Sequence, residues 1–174
     1  MKSSLFTLPI IAMSLLLVGL CGNFFSSSNL KNHSNTKEIT HLKTPLGETI
    51  ELENFNKNKK LKGKWILLDF WASWNSESMK GRNVLNEVYS QYNSKNLEII
   101  SVSLDNSKER WQKAIAQNNS SWLEVSDLEG WKSVICNKYN VSTLPYHVLL
   151  NPNGEIIKTA TSNQELVTVL KEVL

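Results

Sequence analysis

Trp65-Ile66-Leu67-Leu68-Asp69-Phe70-Trp71-Ala72-Ser73-Trp74-Asn75-Ser76-Glu77-Ser78 is the stretch on which the fold turns. Its first six residues form a continuous apolar run of strand length with a single charge, Asp69. Runs of this kind fit a strand covered on both faces, as in a parallel sheet. From Asn75 the pattern changes period. Met79, Leu85, Val88, Tyr89 and Tyr92 recur at helical spacing and predict a helix with one core-facing stripe. Asn75 is a favoured N-cap residue, and Glu77 in the first turn suits the positive end of the helix dipole.

Working outward, residues 97–104 read as a second buried strand, 107–117 as a helix, 122–125 as a short strand and 131–139 as a helix. Residues 146–150 and 155–159, around the turn Asn151-Pro152-Asn153-Gly154, predict an antiparallel hairpin. Ser162 and Glu165 form a capping box that opens a last helix, with Leu166, Val169, Leu170 and Val173 facing inward. Upstream, residues 39–42 and 48–52 flank Thr44-Pro45-Leu46-Gly47 as a first hairpin, and 54–63 is a solvated loop. The expected class is α/β: a central mixed β-sheet flanked by helices, preceded by a hairpin. It is mixed because the late hairpin must add an antiparallel strand.

The chain has 174 residues, 41% hydrophobic and 20% charged, which suits one globular domain with a real core. The formal charge of +3 is too balanced to argue for nucleic acid, and no basic stripe with interleaved aromatics is present. Lys2 followed by the apolar residues 5–20 reads as an export leader over 1–21. Pro9 and the modest length disfavour a membrane anchor. Cys21 closes the leader in Leu17-Val18-Gly19-Leu20-Cys21-Gly22, a position that resembles a bacterial lipobox, although Leu20 stands where that pattern wants a small residue. Lipidation at Cys21, plain cleavage and an incidental cysteine all stay open. Residues 22–37 are a polar tether, and 38–174 form the folded domain.

If Cys21 is acylated or removed, Cys136 is the single thiol of the mature domain, so no internal disulfide can form and packing alone must stabilise it. Cys136 falls on a packed helical position and reads as an inert core thiol. His33, His41 and His147 do not cluster in sequence with any cysteine or carboxylate ligand set, so no metal and no cofactor are expected.

Three segments resemble the thioredoxin superfamily, in particular the exported TlpA/ResA-type thiol–disulfide oxidoreductases, a group related to the AhpC/TSA proteins. They are Asp69-Phe70-Trp71-Ala72-Ser73-Trp74, then Val125-Ser126-Asp127-Leu128-Glu129-Gly130-Trp131 with Tyr139-Asn140-Val141, then Val141-Ser142-Thr143-Leu144-Pro145 with Asn151-Pro152-Asn153-Gly154. The helix and strand between Leu104 and Trp131 resemble that group's insertion. The resemblance implies a cis-proline at Pro145 and a C-x-x-C motif directly after Trp74. A peroxiredoxin, the alternative within the superfamily, should carry its cysteine near the start of the same helix, and that cysteine is missing too.

Disulfide exchange needs a thiolate at a helix N-terminus and a second cysteine one turn on. Here those four positions hold Asn75, Ser76, Glu77 and Ser78. Neither an amide nor an unactivated hydroxyl attacks a disulfide, and no base is recognisably placed to activate Ser76 or Ser78. No catalytic residue is therefore expected. Because all four positions differ, the pattern reads as natural divergence and not as an engineered trap.

By the resemblance, Asp69 matches the buried carboxylate beneath the active site, here read as a remnant satisfied by a serine or water. The resemblance also implies that Leu144, before Pro145, offers its backbone to an extended peptide, a mode that needs no thiol. Trp71 and Trp74 would flank that surface; the competing reading makes Trp71 core and Pro145 architectural. The expected function is a redox-inactive module of the bacterial envelope or periplasm that binds an as yet unidentified envelope protein or peptide. Its membrane contact would run only through a lipid anchor at Cys21. The alternatives are an oxidoreductase with a residual role through Cys136 or a partner's thiols, and a scaffold without a groove function.

Overall fold

The computed structural model describes residues 41–52 and 57–174; the leader, Cys21, the tether and the first residues of the expected domain lie outside them. The apolar run becomes β3 (Trp65–Trp71), and its place explains its composition. It lies in the middle of a five-stranded sheet of order β5-β4-β3-β6-β7, so both edges are paired and both faces covered. β4 (Leu97–Ser103) and β5 (Leu123–Val125) continue parallel on one side; β6 (Tyr146–Leu150) and β7 (Ile156–Ala160) are antiparallel on the other. The sheet is mixed, as expected.

Alternation along the strands sends side chains to two layers. Leu67, Ile99 and Leu149 pack with Leu85 and Val88 of α1 (Ser76–Tyr92) and with Leu166 and Leu170 of α4 (Asn163–Val173). Ile66, Leu68, Ile100 and Val148 turn the other way, onto Ile135 and Cys136 of α3 (Val134–Lys138) and onto Leu42 and Leu52 of the N-terminal hairpin. A third cluster joins Trp71 to Trp111 and Ala114 of α2 (Lys108–Asn118). The hairpin itself, β1 (His41–Lys43) and β2 (Thr49–Glu51), is tied to the segment after β5 by the Lys43–Ser126 bridge. Among the described residues no helix is long and apolar enough to cross a membrane.

Two local expectations shift. The segment 131–139 is not one helix: a 3-10 turn at Gly130–Lys132 is followed by α3, with Ser133 extended between them. The Ser133 hydroxyl is held by the Asp127 carboxylate, and Glu129 N–H bonds the other Asp127 oxygen, so Asp127 organises a turn where continuous helix was expected. The capping box of α4 is offset by one residue. Ser162 Oγ accepts from Glu165 N at 3.2 Å, but the Glu165 carboxylate reaches Thr161 N at 2.7 Å instead of the N-cap nitrogen.

Candidate functional site

From Trp71 the chain passes through Ala72, Ser73 and Trp74 into α1, and this short loop is braced from the next strand. Ser73 N–H and Oγ–H donate to the two oxygens of Asp105, at 2.9 and 2.6 Å. Asp105 is itself fixed by Ser103 Oγ at 2.8 Å, and Leu104 N bonds Trp71 O at 2.8 Å. The helix then starts as its sequence dictates. Asn75 is the N-cap, in extended conformation, and its Oδ1 accepts from Ser78 N at 2.8 Å. Ser76 and Glu77 are exposed, with Glu77 paired to Lys80 at the surface. Ser78 is buried, and its Oγ has no hydrogen-bond partner among the described residues, so no bonded base is in place to take its proton.

The Leu144–Pro145 bond is cis. β6 begins directly after it, with Tyr146 opposite Phe70. Pro145 immediately precedes that pair, at the sheet end where Trp71 closes β3. The side chains of Leu144 and Pro145 are buried. Of the two readings of Trp71, the structure has the core one: the ring is fully buried against Trp111. Trp74 is different. It is 48% exposed and meets Trp131, 47% exposed, in a tilted pair with ring centroids 6.3 Å apart. The aromatic surface beside the helix start is thus Trp74 with Trp131, not Trp74 with Trp71. Trp131 stands at a helix start by periodicity alone, and only the 3-10 turn before α3 leaves it at the surface.

Beneath the helix start the sheet carries a row of polar residues. The registers align His147, Asp69, Ser101 and Glu124 across β6, β3, β4 and β5. Arg82, fully buried on α1, closes the row from above. It donates to Glu124, to Ser101 Oγ (3.3 Å) and to Ser120 Oγ (3.1 Å), and lies 3.6 Å from Asp69 Oδ2. Its guanidinium sits over the Trp71 ring, 4.2 Å from the centroid, with Trp122 at 5.3 Å on another side. Ser101 Oγ donates to Asp69 at 2.8 Å and accepts from Trp122 Nε1 at 2.8 Å. His147 Nδ1 approaches Asp69 Oδ1 at 3.3 Å, an ion-pair distance off the line a hydrogen bond needs. Asp69 thus has the serine partner expected for it, Ser101, and stands beside Arg82 and His147 as well, neighbours that sequence order concealed.

Burial pulls the Asp69 pKa upward, but His147, Arg82 and Ser101 together outweigh it and leave the group below the ordinary carboxylate range. Glu124 goes the other way: burial outweighs Arg82 and Ser120 and raises it to about 7. A carboxyl raised on folding stabilises most below its unfolded value of 4.5, and that contribution is lost as pH rises towards about 7. At about 1.4 kcal/mol per pKa unit, on the order of 3 kcal/mol is involved. The depressed Asp69 has the opposite sign, its contribution being lost as pH falls below the ordinary carboxylate range. Thermal unfolding should therefore show a midpoint that falls between pH 5 and 7.5, and Glu124→Gln should flatten that slope. An unchanged slope in the variant would remove Glu124 as its source.

Cys136 lies in the α3 core, its Sγ 3.9 Å from Gly130 O, and burial followed by the Asp127 charge pushes the thiol to about 11. It stays protonated at neutral pH. His41 is on the surface, 3.9 Å from Glu51. Among the described residues no group of three or more His, Cys, Asp or Glu side chains is arranged to hold a metal ion.

The thioredoxin-like family matches residues 63–156, which contain the helix start, the polar row and Pro145. The thiol–disulfide oxidoreductase ResA of Bacillus cereus is 30% identical over 118 residues, 68% of this chain and 63% of that protein. The match thus spans less than two thirds of that relative's length. Among solved structures, a thiol–disulfide oxidoreductase from Bacteroides fragilis superposes with a TM-score of 0.69 at 30% identity, covering 78% of this chain and 97% of that one. The C-terminal domain of a second such protein, from Bacteroides thetaiotaomicron, gives 0.66 at 28% identity, covering 78% and 90%.

Proposed function

We propose, from the premise that this chain belongs to the thioredoxin-like TlpA/ResA family, that it is a redox-inactive member which holds a polypeptide segment where its relatives carry out thiol exchange. One observation carries the reading. The helix start is capped by Asn75 and its loop braced by Asp105, yet the two positions where exchange needs thiols are Asn75 and Ser78. The position is maintained while the nucleophile is gone. Pro145 faces this end of the sheet, and the exposed Trp74–Trp131 pair offers apolar contact to an extended chain.

The export leader read at 1–21 supports a place outside the cytoplasm, in the envelope, with Cys21 as a candidate lipid anchor. A residual oxidoreductase role through Cys136 is the weaker reading. That thiol is buried and protonated, the reverse of what a redox cysteine requires.

In a dithiothreitol-coupled insulin assay the pure domain should show no turnover above a boiled control. Turnover that disappears in Cys136→Ala would favour the oxidoreductase reading instead. Envelope polypeptides retained by the immobilised domain should be lost together in Trp74→Ala and Trp131→Ala. Retention unaffected by both changes would leave the groove reading without support.

A further inference from the structure

Among the described residues the exposed large apolar side chains fall into separate places. Trp74, Trp131 and Val134 lie on the segments around the helix start, and Leu46 tips the first hairpin turn. The remaining two, Ile156 at 53% and Ile157 at 39%, are adjacent on β7. Among the described residues β7 is the outer strand of the sheet and pairs only with β6, on its inner side. The register slips by one residue there: Ile156 pairs with Leu150 and Lys158 with Leu149, which leaves Ile157 as the extra residue of a bulge. Bulges re-aim side chains, and this one leaves two consecutive isoleucines in solvent. A free edge is a row of unpaired backbone groups, which soluble proteins ordinarily guard with charge. Here the single charge on the strand, Lys158, is drawn towards Glu172 of α4, 3.9 Å away.

Alongside this edge runs a groove of about 580 Å³. Ile156, Ile157, Thr168 and Val169 line it, together with the charged Lys158, Glu165 and Glu172. Residues 165, 168, 169 and 172 recur at helical spacing and so share one face of α4. The Thr161 N–H and hydroxyl both donate to the Glu165 carboxylate and hold it below the ordinary range. The two glutamates are seven residues apart, about 10 Å along the helix axis. Against them stands one lysine, Lys158, so the lining carries a net negative charge beside two exposed isoleucines.

We propose that the groove between β7 and α4 is a second polypeptide-binding surface, which takes an extended, basic segment of another protein by adding it as a sixth strand to the free edge of β7. Residues two apart on an added strand point to the same side, so alternate positions would face α4. The segment that fits has an apolar residue at the middle facing position and Lys or Arg at the facing positions on either side. The outer two lie about 13 Å apart, a span that flexible basic stems reconcile with the two glutamates. A second copy of this chain is the less favourable occupant. Pairing β7 with β7 would bring the Glu165/Glu172 faces of two α4 helices against each other, four carboxylates for two lysines. This surface is independent of the Trp74 site.

The test uses the fluorescein-labelled peptide Gly-Lys-Thr-Val-Thr-Lys-Gly and a counterpart with glutamate for both lysines. Anisotropy titration should show saturable binding of the lysine peptide below about 1 mM, weakened at least about tenfold in the glutamate peptide and in Glu172→Lys. Trp74→Ala should leave it unchanged, which separates this surface from the first. No saturable binding, binding indifferent to Glu172→Lys, or binding lost in Trp74→Ala would each overturn the proposal. So would a dimer in sedimentation velocity that Ile157→Asp dissolves, because a second copy would then fill the groove. Circular dichroism of each variant confirms that it is folded.

Discussion

Substituting Arg82 by leucine is expected to lower the free energy of unfolding by roughly 3–5 kcal/mol. Among the described residues Arg82 is the one cation that touches both Glu124 and Asp69, and it is fully buried. Removing it strands two carboxyl groups in the sheet interior and takes away the cation over Trp71. The cost should come mainly from the stranded acids and not from the lost pair. Neutralising them in the same background, with Asp69→Asn and Glu124→Gln, should therefore restore much of the stability, because a polar row without charges needs no counterion. Urea unfolding of the three proteins decides it. A loss below about 1 kcal/mol in Arg82→Leu, or no recovery in the triple variant, would show that Arg82 is not the counterion that the geometry assigns.

Rebuilding a C-x-x-C at the helix start should convert a silent site into a reactive one. The variant carries Asn75→Cys, Ser76→Gly, Glu77→Pro and Ser78→Cys, in a Cys136→Ala background. The backbone N–H of residue 78 that now bonds Asn75 Oδ1 is the donor a thiolate at position 75 would receive. With the helix dipole it should bring that thiol below the free value of about 8.5. Position 78 is buried, which suits a thiol that acts only after the first has been attacked. Proline in the first turn costs no helical hydrogen bond. Iodoacetamide alkylation against pH reads the thiol directly, and insulin reduction reads the turnover. A first cysteine titrating no lower than free cysteine would mean that the Ser73–Asp105 brace no longer presents a working helix start. The binding proposal would then lose its principal support.

The order of elements was legible because each declares itself locally. The 65–70 run, the 3.6-residue stripe after Asn75 and the Asn151–Gly154 turn need no knowledge of distant residues. The polar row was not legible in the same way. His147, Asp69, Ser101 and Glu124 come from four separate segments, and only the registers of three strand pairs put them side by side. Arg82 left a fainter signal. It lies three residues before Leu85 on the core-facing side of α1, a place where charge is ordinarily excluded and which therefore calls for an acid across the interface. The Trp74–Trp131 pair depended on a 3-10 turn set by Asp127 side-chain bonds, an effect that hydrophobic periodicity does not register.

The place of β3 in the sheet also bears on how the chain reaches its native state. One neighbour, β4, follows after a single helix, but the other, β6, carries Leu150 opposite Ile66, so the two partners are far apart in sequence. Closing so large a loop is entropically expensive, and contacts of this kind slow folding. Until residue 150 is available the central strand keeps one edge open, and α4, whose Leu166 and Leu170 cover Leu67, comes later still. An N-terminal fragment cannot complete its own core. The chain is thus held back from premature compaction until its last third is available to close the sheet.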